Sequence, residues 1–142
     1  MHHDLYLSLG SNLGDRAANI RTALTHIDDN IGTVYRVATP VHSQPDGYSS
    51  PNPYLNTVCL VHTMMNPQRV LREIEKIEVA MGRRHKTTYA PDGTPLYTDR
   101  IIDIDILLYD HLTIHTPLLT IPHPRMHQRD FVMQPLREIQ ES

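Results

Sequence analysis

Two spacings of apolar residues alternate along the chain, and the changes from one to the other mark out its elements. Leu5, Leu7 and Leu9 repeat every second residue, as a half-buried strand requires. Gly10-Ser11-Asn12-Leu13-Gly14 breaks that pattern with residues that tolerate a tight turn, and Asp15 follows as a helix cap. Ile20, Leu24, Ile27 and Ile31 form a helical stripe over about 15 residues, with Gly32 expected to end it. Residues 33–43 read as one strand on Val34, Tyr35, Val37 and Val41, and Pro40 predicts an edge position or a bulge. A third strand is predicted from Tyr54 to Val61.

Asn66-Pro67 is a strong helix start, with an N-cap followed by proline in the first turn. Val70, Ile74, Ile77 and Met81 supply the buried stripe, Gly82 the C-cap, and Glu73, Glu75 and Glu78 are expected in solvent. The segment Arg100-Ile-Ile-Asp-Ile-Asp-Ile-Leu-Leu-Tyr-Asp110 reads as a strand running into the core. Beyond it lie a turn at Asp110-His111, short extended pieces to Thr120, and a segment in which prolines argue against a helix around His123 and His127. The order β-α-β-β-α-β predicts an α+β fold, with helices packed on a mainly antiparallel sheet, in a single domain over residues 1–142.

Composition narrows the setting. The net charge is −3 and charged residues make up 20%, which argues against a general affinity for nucleic acid or membrane surfaces. Lys76 and Lys86 are the only lysines against 11 arginines, a bias that suits phosphate recognition or reflects genomic composition. A lone cysteine, Cys59, excludes an internal disulfide and fits a reducing cytosol. No apolar run approaches the roughly 20 residues of a membrane span, and the N-terminus lacks a signal-peptide core. A soluble, cytoplasmic protein is expected.

The candidate chemistry sits mainly in loops and at strand ends. Asp103 and Asp105 point to the same face of their strand, roughly 6–7 Å apart, while Ile102, Ile104 and Ile106 take the other face. Such a pair can converge on divalent cations that also meet substrate phosphates, or it can simply be solvated. Tyr54 and Asn56 share a face, so a flat heterocycle could stack on the ring and bond the amide; an Asn satisfied by neighbouring backbone is the competing reading. The loop Gln44–Pro53 is dense in turn residues, and a cluster Arg83-Arg84-His85-Lys86 opens a long polar loop leading to Arg100. His111/His115 and His123/His127 each stand four apart, but no Glu follows the first His, so a zinc-protease reading fails.

Five motifs occur in a telling order. They are Gly10-Ser11-Asn12-Leu13-Gly14; Tyr54-Leu55-Asn56; the span from Glu78 to Arg83; Arg100-x-x-Asp103-Ile104-Asp105-Ile106-Leu107; and Ile121-Pro122-His123 through Arg129-x-Phe131-x-x-x-Pro135-Leu136. Together, nearly end to end, they resemble the 6-hydroxymethyl-7,8-dihydropterin pyrophosphokinase family. That resemblance implies a ferredoxin-like three-layer α/β/α sandwich that moves diphosphate from ATP to a pterin alcohol, releasing AMP, in folate biosynthesis. It implies two Mg²⁺ ions on Asp103 and Asp105. Tyr54 and Phe131 would sandwich the pterin, with Asn56 and the backbone near Ser43, Gln44 and Pro45 on its polar edge and Asn12 in the same pocket. Arg83 and Arg100 would act on the phosphates, with Glu78, His123 and Arg129 on the ATP side. A monomer that binds small molecules only is expected.

The chain also departs from the family's pattern. The family usually carries Gly or Ala then Pro before the loop arginine, where Thr98-Asp99 stand here. The 83–100 loop is long and lacks tryptophan, which leaves Tyr89 or Tyr97 as the ring, and the sequence stops soon after Leu136. Two rival classes are a non-catalytic ferredoxin-like ligand-binding module and a metal-dependent nuclease or nucleotidyl transferase. The Tyr54/Asn56/Phe131 set favours a small heterocycle over a polymer.

Overall fold

A computed structural model describes residues 2–45, 50–82, 91–92 and 99–140, and the backbone of 88, 89, 95, 96 and 141. Strand β1 (His3–Ser11) is central, and helix α1 (Arg16–Asn30) follows it. The Asp15 carboxylate caps α1 by accepting from the Ala18 N–H at 3.1 Å. Strand β2 (Gly32–Val37) and the short β3 (Val41–Ser43) lead to β4 (Tyr54–Thr63), then to α2 (Pro67–Ala80), capped by Asn66 as the sequence predicts. A two-stranded hairpin, β5 (Thr88–Tyr89) and β6 (Pro95–Leu96), lies within the predicted polar loop. Strand β7 (Asp103–Tyr109), a second small hairpin β8 (Ile114–His115) and β9 (Thr120–Ile121), and helix α3 (Asp130–Glu141) complete the chain.

The main sheet runs β2-β4-β1-β7, antiparallel throughout, with β3 paired to β4 beyond the end of β2. This is the βαββαβ order the sequence predicts. Helices α1 and α2 cover one face through Leu5, Leu7, Leu9, Ile27, Val61, Ile74 and Ile104. On the other face α3 packs through Val132, Leu136 and Ile139 against Val58, Leu60 and Leu107. Two apolar cores on one sheet make three layers. Strand β7 changes face by a bulge: Leu7 pairs with Ile106 but Tyr6 with Leu108. Leu107 is the extra residue, which lets both it and Leu108 join the α3 core.

The structure departs from the sequence reading at four points. Residues 33–43 form two strands, because the chain leaves the sheet through 38–40 around Pro40. The C-caps are not Gly32 and Gly82 but Ile31 for α1 and Met81 for α2, and a Cβ at Gly32 would clash with the His62 carbonyl oxygen. Helix α3 forms with Pro135 inside it. That proline removes the N–H that would have met the Phe131 carbonyl, and burial of Val132, Leu136 and Ile139 at helical spacing offsets the loss. Finally, Glu78 is buried, not solvated. It lies at the end of α2 and accepts from the Ile104 N–H at 3.0 Å, on a strand that would otherwise leave this donor buried without an acceptor.

Candidate active site

One row of backbone across the sheet organises the site. Val41 pairs with Asn56, Asn56 with Gly10, and Gly10 with Asp103. Adjacent strands lie about 4.8 Å apart, so Asn56 and Asp103 stand about 10 Å from each other across β1. Two residues further along, Ser8 faces Asp105. All these side chains share the α3 face, since they alternate with Leu7, Leu9, Ile104 and Ile106 on the α1/α2 face. Both aspartates are half-buried.

The centre of the row needs a residue without a side chain. A Cβ at Gly10 would meet Asn56 Oδ1 at 3.2 Å and Tyr54 Cδ1 at 3.3 Å. Gly10 therefore lets the Tyr54 ring and the Asn56 amide lie close over the β1 backbone. The Asn56 Nδ2 donates to the Val41 carbonyl at 3.2 Å and to Ser43 Oγ at 2.9 Å, and the side chain is almost fully buried. Both amide hydrogens are so engaged, and Oδ1 is directed toward Gly10. Beyond Ser43 the chain continues through exposed Gln44 and half-buried Pro45.

Other predicted residues gather at the β7 edge. The His123 N–H donates to the Leu107 carbonyl at 3.0 Å, which fastens this segment beside β7. Burial, with the charges of Arg129 and Arg125, holds the His123 imidazole below its ordinary value near 6.5 against the opposing pull of Asp103. His123 Nδ1 accepts from the Arg125 N–H at 3.1 Å, so the neutral ring carries its proton on Nε2. The Arg129 guanidinium carbon sits 5.7 Å from the Phe131 ring centre, at the start of α3. Arg83 and Tyr97 lie outside the described residues, and Tyr89 is described in its backbone alone.

Asn12 is buried and joins three segments. It exchanges hydrogen bonds with Arg100: the Asn12 N–H donates to the Arg100 carbonyl at 3.0 Å, and the Arg100 N–H donates to Asn12 Oδ1 at 2.6 Å. Its Nδ2 donates to Asp99 Oδ1 at 2.8 Å and to the Asn52 carbonyl at 3.2 Å. Ser50 and Asn52 were not singled out by the sequence reading, and Gly10 and Asp99 were named there without a role in the site. The one available signal was Asp99, which stands where the resembled family carries proline. The described residues also hold one convergent set of His, Cys, Asp or Glu donors, His2, Asp4 and His62, near the start of β1 and away from Gly10.

Comparison with known proteins bears on the family and the fold. A family model described as 7,8-dihydro-6-hydroxymethylpterin-pyrophosphokinase (HPPK) matches residues 6–141. The 2-amino-4-hydroxy-6-hydroxymethyldihydropteridine pyrophosphokinase of Porphyromonas gingivalis is 39% identical over 136 residues, covering 95% of this chain and 89% of the relative. The enzymes of that name from Aquifex aeolicus and Bacillus subtilis are 37% and 35% identical, covering 96% and 98% of this chain and 79% of each relative. Among solved structures, an HPPK-DHPS complexed with substrates superposes with a TM-score of 0.74 at 14% identity, over 97% of this chain and 40% of that one. A Plasmodium falciparum HPPK-DHPS triple mutant gives 0.75 at 17% identity, over 96% of this chain and 40% of that one. At those identities the two structures bear on the fold alone. The chain belongs to the 7,8-dihydro-6-hydroxymethylpterin-pyrophosphokinase family, and its activity is that of a pyrophosphokinase in folate biosynthesis.

Proposed function

We propose that the Asn56–Gly10–Asp103 row is the reaction platform, with the pterin over Tyr54 and Asn56 and the ATP phosphates over Asp103 and Asp105. The observation that carries this reading is the close approach of Tyr54 and Asn56 to Gly10, one residue pair from Asp103. With both Asn56 amide hydrogens engaged, Oδ1 accepts from a pterin ring N–H, while Tyr54 and Phe131 hold the two ring faces. Ser43, Gln44 and Pro45 border the polar edge. Asn12 shapes the pocket through its bonds to the neighbouring segments.

Two half-buried carboxylates on one face offer hard oxygen donors, which fits two Mg²⁺ ions. When bound, those ions supply charge neutralisation for the ATP phosphates and for the departing AMP. The hydroxymethyl oxygen attacks the β-phosphorus; the new O–P bond forms as the bond from that phosphorus to the α,β-bridging oxygen breaks. AMP takes the electron pair, and we assign the alcohol proton to Asp105. Arg83, Arg100 and Arg129 meet the charge that builds on the phosphoryl oxygens, and neutral His123 donates from Nε2. Glu78 holds the β7 backbone between the two aspartates, so its part on the ATP side is to position them. Holding the alcohol in line with the β-phosphorus supplies much of the remaining rate.

A monomer suffices for this reading, because it draws every assigned residue from one chain. The buried Cys59 thiol, pushed up to about 12 by burial, stays protonated and takes no part in this chemistry. The direct test is product analysis with ATP, Mg²⁺ and the pterin alcohol. AMP appearing one-for-one with pterin diphosphate is the expected result, and pterin-dependent ADP would overturn the reading.

A further inference from the structure

The carboxylate of Asp99 stands at a junction that the reaction chemistry does not by itself require. Its Oδ1 accepts from Asn12 Nδ2 at 2.8 Å, and its Oδ2 accepts from Asn52 Nδ2 at 2.7 Å and from Ser50 Oγ at 3.1 Å. The three donors come from two loops far apart in sequence: one follows β1, and the other leads into Tyr54. Ser50 Oγ in turn accepts from the Asn52 N–H, and Arg16 Nη1 donates to the Pro53 carbonyl at 3.0 Å. The residue after Asp99 is Arg100, whose backbone is doubly bonded to Asn12. The Asp99 side chain thus ties the approach to Tyr54 to the buried Asn12, and Asn12 in turn holds the Arg100 backbone.

We propose that Asp99 is a positioning residue for the pyrophosphokinase reaction, holding the Arg100 segment and the Ser50–Pro53 segment in fixed relation so that the two substrates meet in line. The inference rests on the assignment of Tyr54 to the pterin and Arg100 to ATP. A carboxylate suits the task because both oxygens accept, one toward each loop. Asparagine could satisfy only one side, since its Nδ2 would face either the amide of Asn12 or that of Asn52, donor against donor. A residue without a side-chain acceptor at position 99 could not make this cross-loop tie.

The test compares wild type with Asp99→Ala, Asp99→Asn, Asn52→Ala and the double variant Asp99→Ala/Asn52→Ala. Wild type is first shown to release AMP; its failure to do so would sink the functional reading and is distinct from failure of the tie. The expected result for Asp99→Ala is a KM for the pterin alcohol raised about tenfold, in a protein whose melting temperature stays within about 2 °C of wild type. Asp99→Asn should fall between the two. The double variant should be no worse in kcat/KM than Asp99→Ala, because one shared bond is lost once. Equilibrium pterin binding gives the same ordering without catalysis. A folded Asp99→Ala with wild-type KM and wild-type pterin affinity overturns the proposal, and so do fully additive losses in the double variant.

Discussion

Asp103, Asp105 and His123 each make a different physical demand, and each is tested by its own substitution. Asp103→Asn removes a charge from the proposed phosphate side and should lower kcat/KM by about 10²-fold or more, while stability holds or rises slightly as two like charges no longer face one direction. Asp105→Asn tests its assigned proton transfer; turnover within about threefold of wild type at saturating Mg²⁺ would exclude it. For His123, the folded-state value lies below the ordinary one near 6.5. The unfolded chain therefore takes up this proton first as pH falls. Its contribution to stability is full above about 6.5 and is lost as pH drops toward the folded value. Urea melts between pH 7.5 and 5 should show a steeper decline for wild type than for His123→Asn, and equal slopes would contradict the burial argument. The aspartate pair and the Tyr54/Asn56 pair were legible in the sequence, because two-residue spacing on a strand puts like-directed side chains together. The tie through Asp99 was not. Its partners Asn12, Ser50 and Asn52 lie 87, 49 and 47 residues away in the chain, and no local spacing links them.

Elements with a clean period were readable from the chain, and the exceptions share a cause in tertiary contact. Helices α1 and α2 carry both a cap and a stripe, and both formed where the pattern put them. Helix α3 has the stripe Val132, Leu136 and Ile139 as well, but prolines mask it locally, and only burial against Leu107 and Val58 reveals the helix. Glu78 looked like one of three exposed glutamates because helical spacing does not show where a strand edge will pass. Glu78→Ala should leave the Ile104 N–H without its acceptor and cost about 1–3 kcal/mol, read as a lower urea midpoint. It should also reduce activity, because the residues either side of Ile104 are the two aspartates. Glu78→Gln keeps an acceptor oxygen and should recover most of the stability. At Gly32 the carbonyl of His62 is so near that Gly32→Ala forces β2 away from β4. A loss of about 2 kcal/mol or more is expected by denaturant titration, and a neutral effect would mean that the two strands part easily.

The whole fold serves to bring the end of β1 together with three segments that are distant in sequence. Antiparallel pairing on both sides of β1 sets Asn56 and Asp103 on opposite flanks of Gly10, and α3 closes the same face while presenting Phe131 and Arg129 at its start. In the proposed function the pterin side and the phosphate side are thereby joined through Gly10 of the central strand. The β-α-β-β-α-β order made that arrangement foreseeable. The bulge at Leu107 and the split between β2 and β3 did not follow from it, since both answer to neighbouring strands. The most direct measurement is AMP release from ATP, Mg²⁺ and 6-hydroxymethyl-7,8-dihydropterin by wild type and by the double variant Asp103→Asn/Asp105→Asn, each confirmed as folded. Pterin-dependent AMP from wild type and none above background from the double variant is the predicted outcome. Comparable AMP release by both proteins would show that the reaction takes place elsewhere.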